Sequence, residues 1–404
     1  MHYTKPNKLH YRLAQAASWV VSKLIFRNKV LRNEIRDAQG PYVVIANHQC
    51  AYDFVNLIGA TRRPMSFVIS QSFFSSLPIK GFMEKMGVIP KQQFQTSVQD
   101  MKRMKAVIDH GAPLVIYPAG LMCEDGLSTP IPSATYKFLK WLGVDVYVAR
   151  SYGSYFVMPK WAKGMRRGRT QIDIYKLFDK DTLAQLELDQ IQCAVDEALL
   201  YDAYREQESR RFSYNHNDDL NGMEYVLYMC PHCHSEFTIS VHDRSTICCS
   251  HCGYTQTVDK LGFLHKSGTV GEEIRYISDW SKQIHDTLKK RIQASDSFSL
   301  SSPTLFRMID QKASKFQDVG NGSIHLSRNG FHLTGNIRGE AVDLLIPIGN
   351  IPTLPFSPGK YLEIQHGSDI YRCVLEDGRL VMKFIHAVKI FYALRCSERA
   401  LAGN

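Results

Sequence analysis

Residues Tyr42 to Asp53 read YVVIANHQCAYD, an apolar run ending in Asn47 and His48, with Asp53 following His48 after four intervening residues. On one continuous helix five positions turn through about 500°, leaving the two side chains roughly 140° apart and unable to cooperate. If His48 sits at a strand exit and Asp53 in the first turn of a helix beginning near Tyr52, the carboxylate can fold back onto the imidazole. Such a pair is a general base: the carboxylate fixes the tautomer and stabilises the imidazolium formed when the ring takes a proton from an attacking hydroxyl. The same residues also fit a histidine beside a helix cap, with Asp53 as an early-helix acid favoured by the dipole.

A second constellation lies downstream. Cys230-Pro-His-Cys233 and Cys249-Ser-His-Cys252-Gly253 are separated by 15 residues, the spacing of a four-cysteine zinc ribbon. Two tight knuckles each present two thiolates, and the intervening hairpin closes them into one tetrahedron. Cys248 is an alternative to Cys249, but only Cys249 gives a two-residue knuckle followed by Gly253, where a left-handed turn is easy. His232, His234 and His251 read as exposed neighbours of the thiolates. Four thiolates leave no open position, so the expected structural Zn2+ serves folding and not catalysis. Redox use of the two Cys-x-x-Cys pairs is the rival reading.

The elements that must position these residues follow from periodicity. Between 41 and 180 the strand-like runs YVVIA, SFVIS, VIPK, PLVIYP, VDVYVAR and QIDIYKLF alternate with helical stretches, which predicts an α/β domain with a mostly parallel, covered sheet. The expected organisation is an amphipathic helical segment over 1–40, the α/β domain over 41–211, the ribbon over 225–265, a helical linker over 270–300, and a small β-barrel closed by a C-terminal helix over 318–404. A chain of 404 residues needs several cores.

The net charge of +10 is unevenly placed: residues 1–211 carry 29 Lys and Arg against 19 Asp and Glu, and the remainder is balanced. Partners of the first half should therefore be anionic. Leu9 to Val30 combines Leu13, Ala17, Val20, Val21, Leu24 and Ile25 at helical spacing with Trp19, Phe26 and a basic face of Arg12, Lys23, Arg27 and Lys29. That composition suits a helix lying on a membrane surface, or equally one packed on its own domain. No run of 18 apolar residues and no leader pattern is visible, and most cysteines are scattered singly. The expectation is a peripheral protein at the cytoplasmic face of a membrane. The ribbon half is charge-neutral and its hairpin carries only Arg244 among strong bases, which argues against nucleic acid.

Residues 10 to 205 resemble the glycerolipid and lysophospholipid acyltransferase family. Its Asn-His-x4-Asp motif is matched by Asn47, His48 and Asp53. Its third motif, usually Phe-Pro-Glu-Gly-Thr-Arg-Ser, is recognisable in Tyr117, Pro118, Ala119 and Gly120. A second, Gly-x-x-Phe-Ile-x-Arg type, is echoed by Gly87, Val88, Ile89, Pro90 and Lys91. The resemblance implies that His48, oriented by Asp53, deprotonates a hydroxyl of a lysophospholipid or glycerol-phosphate-like acceptor, which attacks the thioester of acyl-CoA or acyl carrier protein. Transfer is direct, so Cys50 is a packing residue. Substrate contacts would come from Asn47, Lys91, Tyr117, Pro118, Ala119 and Gly120, with N–H groups near Gly120 holding the oxyanion.

The pattern also departs. Ala119 stands where the family has glutamate, and Leu121 and Met122 where threonine and arginine are usual, so the pair that holds a glycerol phosphate is missing. Lys91 replaces arginine as a point charge and not a fork. The cluster Lys160, Lys163, Arg166, Arg167 and Arg169, interleaved with Trp161, could supply phosphate or lipid contacts. Glu124 and Asp125 either meet a headgroup or close a turn. By pattern, the last domain looks like a pleckstrin-homology or GRAM type module. The alternative to an enzyme is a catalytically silent lipid-binding or scaffold protein of the same fold.

Overall fold

The computed structural model describes residues 5–94, 97–216, 218–310, 314–367 and 369–402, so the first four residues of the expected N-terminal segment lie outside it. The chain forms two compact units, the first comprising Met1–Lys160, Gly164–Asn217 and Lys260–Gly262 and the second the rest. In chain order the first unit runs α1 (Lys8–Leu24), β1 (Lys29–Asn33), β2 (Tyr42–Ala46), α2 (Asp53–Ile58), β3 (Ser66–Ser70), α3 (Gln71–Ser76), α4 (Lys80–Lys85), β4 (Ile89–Lys91) and α5 (Val98–Asp109). It continues through β5 (Leu114–Ile116), α6 (Ala134–Leu142), β6 (Asp145–Tyr152), α7 (Ser154–Val157), β7 (Gln171–Phe178), α8 (Lys180–Gln185), α9 (Leu188–Leu199) and α10 (Ala203–Arg210).

The seven strands lie in the order β1-β7-β6-β2-β5-β3-β4, and every pairing is parallel except β6 with β7. Alternation across this sheet builds two cores. Val43 and Ile45 of β2, Leu114 and Ile116 of β5, and Val146 and Val148 of β6 point to one side, where α5, α6 and α9 supply Val107, Leu139, Ile191 and Val195. Tyr42, Val44 and Ala46, with Val115 and Tyr147, point to the other, beneath Tyr11 of α1, Leu57 and Ile58 of α2, and Phe82 and Met83 of α4. Covering both faces explains why these strands read as unbroken apolar runs. Each fully buried aliphatic side chain contributes about 1.5–3 kcal/mol. The central strand is thus fixed, and the chain leaving its C-terminal end inherits that rigidity.

Segment 1–40 is not a separate element. β1 is an edge strand of the sheet, paired with β7, its charged and mostly exposed KVLRN having read as a helix tail. Helix α1 is capped by Asn7, whose side chain accepts from the N–H groups of Leu9 and His10. Its buried residues are Tyr11, which enters the core, and Ser18 and Ser22, with the Ser22 hydroxyl donating to Asn56 Oδ1 at 3.0 Å. Its outer face carries Leu9, Leu13, Trp19, Val20 and Leu24, each 45–66% exposed. Among the described residues no helix is long and apolar enough to cross a membrane.

The second unit holds β8 (Ile239–His242), β9 (Thr246–Cys249), β10 (Thr255–Val258) and β11 (Leu264–Lys266) in one four-stranded antiparallel sheet, then α11 (Ile277–Gln293). A seven-stranded antiparallel sheet follows, from β12 (Leu300–Asp310), β13 (Lys315–Ser327), β14 (Gly330–Ile337), β15 (Glu340–Pro347), β16 (Phe356–Ser357), β17 (Tyr361–His366) and β18 (Asp369–Leu375), and α12 (Leu380–Ala402) closes the chain. This sheet opens at Leu300 and not near 318. Pro303 hid β12, which lies between β13 and β18 but pairs with β18 only over Thr304–Arg307. The chain around the first cysteine knuckle is gripped from both helices. Trp280 of α11 donates to the Met229 carbonyl at 2.9 Å, Glu236 pairs with Arg291 and Lys383, and Arg379 donates to the Phe237 carbonyl.

Candidate active site and metal site

His48 lies in the loop between the end of β2 and the start of α2. The Asp53 carboxylate folds back over that loop, and one oxygen, Oδ2, accepts from the N–H of Gln49 at 2.6 Å, the N–H of Cys50 at 2.9 Å and Nδ1 of His48 at 3.1 Å. Asp53 is 1% exposed at its side chain and His48 23%, so the acid is sealed beneath a ring that still meets solvent. A carboxylate on Nδ1 keeps the proton there and leaves the Nε2 lone pair to accept one. The two N–H bonds to Asp53 are what bend the loop: the carboxylate is at once the loop's cap and the ring's orienter.

The loop is also bound from the other side. Asn47, expected to contact substrate, is buried and uses both ends of its amide on Ser151 of β6, donating to its carbonyl at 2.9 Å and accepting from its N–H at 2.8 Å. Gln49, fully buried, donates to the same carbonyl and accepts from the Tyr155 N–H. The Tyr201 hydroxyl donates to the His48 carbonyl at 3.3 Å. Gln49, Ser151, Tyr155 and Tyr201 were missed in the sequence. Gln49 sits inside the motif, but nothing in its neighbours told that its amide points inward. Cys50 is buried, and burial, with the Asp53 charge, pushes its thiol well above the ordinary range. Its thiol donates to the other Asp53 oxygen, Oδ1, at 3.5 Å.

Since β2 and β5 are parallel neighbours, Tyr117 leaves β5 beside His48, the two rings 4.5 Å apart and tilted by 34°. Pro118 and Ala119 continue the turn, which Gly120 closes with φ +69° and its N–H on the Tyr117 carbonyl at 2.9 Å. That bond occupies the Gly120 N–H, one of the groups in this turn from which an oxyanion donor was expected. Lys91 ends β4 opposite Ser70 of β3 and donates to the Gln92 carbonyl at 2.9 Å. Burial lowers its pKa, and Asp100 opposes this. The Gln93 amide reaches the Gly120 carbonyl, joining the second and third motif loops.

The remaining candidates are placed otherwise. Trp161 and Arg166 are buried, whereas Lys163, Arg167 and Arg169 are exposed, so the basic run is not one aromatic-interleaved surface. Asp125 accepts from the Leu127 N–H at 3.1 Å and closes its turn, and Glu124 is buried.

In the second unit the sulfurs of Cys230, Cys233, Cys249 and Cys252 all lie within 4.8 Å of one another, with Cys230–Cys252 at 3.7 Å and Cys233–Cys249 at 3.8 Å. A tetrahedron with metal–sulfur arms of about 2.3 Å has edges of roughly 3.8 Å, so these four cysteines could hold a metal ion. Ser235 lies 2.9 Å from the Cys233 sulfur and Thr238 3.3 Å from that of Cys249. Burial pushes the Cys249 thiol up, but bonds from Thr238, the backbone of Cys252 and His251, and Ser235 outweigh it and bring its pKa down to about 6. In the same cluster burial pushes the Cys230 thiol up instead.

Residues 27–156, which include the central strand and the His48 and Asp53 loop, match the acyltransferase family model, so the chain carries an acyltransferase domain. Within that family the similarity is to lysophosphatidate acyltransferases, and it is distant. Over 140 residues the chain is 26% identical to the chloroplastic 1-acyl-sn-glycerol-3-phosphate acyltransferase BAT2 of Brassica napus, covering 34% of this chain and 40% of that protein. The crystal structure of the 1-acyl-sn-glycerophosphate (LPA) acyltransferase PlsC from Thermotoga maritima aligns with a TM-score of 0.41 and 15% identity, over 50% of this chain and 79% of that one.

Proposed function

We propose that the first unit transfers a fatty acyl group from an acyl thioester, carried by CoA or acyl carrier protein, to a hydroxyl of a lysophospholipid or glycerol-phosphate-like acceptor. The observation that carries this reading is the Asp53 carboxylate held on Nδ1 of a partly exposed His48. Nε2 removes the acceptor proton, the oxygen attacks the thioester carbonyl, and the imidazolium returns the proton to the departing sulfur. The domain match and the relative that acts on 1-acyl-sn-glycerol-3-phosphate support it. Helix α1, with an apolar outer face, Lys8, Arg12 and Lys23, and no acidic residue, holds the domain on an anionic phospholipid surface at the cytoplasmic face. The four cysteines take structural zinc, and the C-terminal sheet with its helix acts as a PH/GRAM-like module.

The test supplies purified protein with long-chain acyl-CoA or acyl carrier protein and a panel of lysophosphatidate, other lysophospholipid and glycerol phosphate acceptors. Wild type should release free thiol and form acylated product, and His48→Ala should do neither while staying folded. A silent lipid-binding protein is the second reading, favoured by Ala119 and by a buried Leu121 in the third motif. In that case wild type transfers nothing, and vesicle binding is unchanged by His48→Ala.

A further inference from the structure

Acyl transfer needs a donor for the carbonyl oxygen that becomes negative when the acceptor attacks. Donors set in place beforehand are worth most there, because nothing has to reorganise as the charge develops. Around His48 several donors are already used. Asn47 and Gln49 give their amides to the Ser151 carbonyl, Gln49 and Cys50 give their N–H groups to Asp53, Gly120 gives its N–H to Tyr117, and Tyr201 gives its hydroxyl to the His48 carbonyl.

The Tyr117 hydroxyl has no hydrogen-bond partner among the described residues, although its ring lies 4.5 Å from the imidazole. The ring is fixed by its place at the end of β5 and packs against the core beneath α1, α2 and α4. Burial, then the Asp53 charge, pushes the phenol pKa well above the ordinary value, so the group keeps its proton and stays a donor.

We propose that the Tyr117 hydroxyl is the oxyanion donor of the transfer reaction, making Tyr117 a catalytic residue beside His48. As Nε2 takes the acceptor proton, the acceptor oxygen bonds to the carbonyl carbon and the C=O pair moves onto oxygen, where the phenol O–H donates to it without giving up its proton. Collapse restores C=O and breaks the carbon–sulfur bond, and the imidazolium protonates the leaving thiolate. The inference rests on the acyl-transfer reading and goes beyond it by naming the second group at the reacting atoms.

Tyr117→Phe keeps the ring beside His48 and removes only the hydroxyl. The full-length protein is assayed with palmitoyl-CoA and with lysophosphatidate and monoacylglycerol as probe acceptors, rates being taken per folded molecule by circular dichroism. The expected result is a kcat lower by about 100-fold with KM for both substrates within about twofold, the mark of a contact made only in the transition state. An unchanged kcat overturns the proposal, as does a rise in KM with kcat intact, which would make the hydroxyl a binding contact. If wild type acylates neither probe nor any acceptor of the wider panel, the acyl-transfer reading falls and this proposal with it, an outcome distinct from an active Tyr117→Phe.

Discussion

Asp53→Asn separates the two tasks of one carboxylate oxygen. In the native loop Oδ2 accepts from the N–H groups of Gln49 and Cys50 as well as from His48. The asparagine amide oxygen can still take both backbone bonds. Since that same oxygen also faces Nδ1, the neutral amide keeps the ring proton on Nδ1 but no longer supplies the negative charge that stabilises the imidazolium. The base is thereby weakened with little change in shape, and a loss of about 100-fold in kcat, near 3 kcal/mol, is expected. Stability should also fall. Exchanging a charged for a neutral acceptor weakens two buried bonds by roughly 1–1.5 kcal/mol each, about 2–3 kcal/mol in all. Urea unfolding of the variant, followed beside thiol release from acyl-CoA, measures both. A variant retaining about half of wild-type kcat would refute the reasoning, because His48 would then not need the Asp53 charge.

Other outcomes follow from the same geometry. Lys91 is held below its ordinary pKa of 10.5 by burial, so folding penalises its charged form. The penalty is complete below the folded pKa and is relieved as pH rises through it toward the unfolded value. Lys91→Met should therefore raise the melting temperature at neutral pH, with the gain closing as the buffer approaches pH 10.5; a gain constant over that range contradicts this. Cys233→Ser should lower bound zinc in elemental analysis and speed amide exchange in α12, since Glu236 and Phe237 beside that knuckle hold Lys383 and Arg379; exchange confined to the ribbon would sever that link. Leu13→Glu with Val20→Glu should abolish flotation with anionic vesicles while changing unfolding free energy by only about 0.5 kcal/mol per site. Flotation that survives both changes removes α1 from membrane attachment.

How far the sequence reaches depends on what each element hides. The buried strands of the first unit were legible because Val, Ile and Tyr runs covered on both faces carry no polar interruption, and the cysteine spacing encodes its own closure. The pairing of His48 with Asp53 was legible as a possibility, since a strand exit followed by a helix start is the geometry that joins them. Edges were not legible. β1 is short and charged, and β12 contains Pro303 and alternates buried with exposed residues, a weaker signal than a covered run. The inward amides of Asn47 and Gln49 were also invisible, because their partner, Ser151, lies about a hundred residues on and becomes a neighbour only when β6 pairs with β2. The occupied Gly120 N–H is of the same kind: a turn's internal bond depends on its dihedral angles, which residue types alone do not give.

Helix α1 reverses the usual arrangement of a surface helix, its inner face made of Tyr11, Ser18 and Ser22 and its outer face of leucine, valine and tryptophan. The two faces therefore answer to different selective demands. Serines on the inside let the helix lie close on α2 and join it through Asn56, and a change there is read out as misfolding. Changes on the outside leave the fold alone and alter only the medium in which the folded domain is at home. Substitutions at Leu9, Leu13, Trp19, Val20 and Leu24 thus change what the domain's surface meets without disturbing the strand exit at which His48 lies.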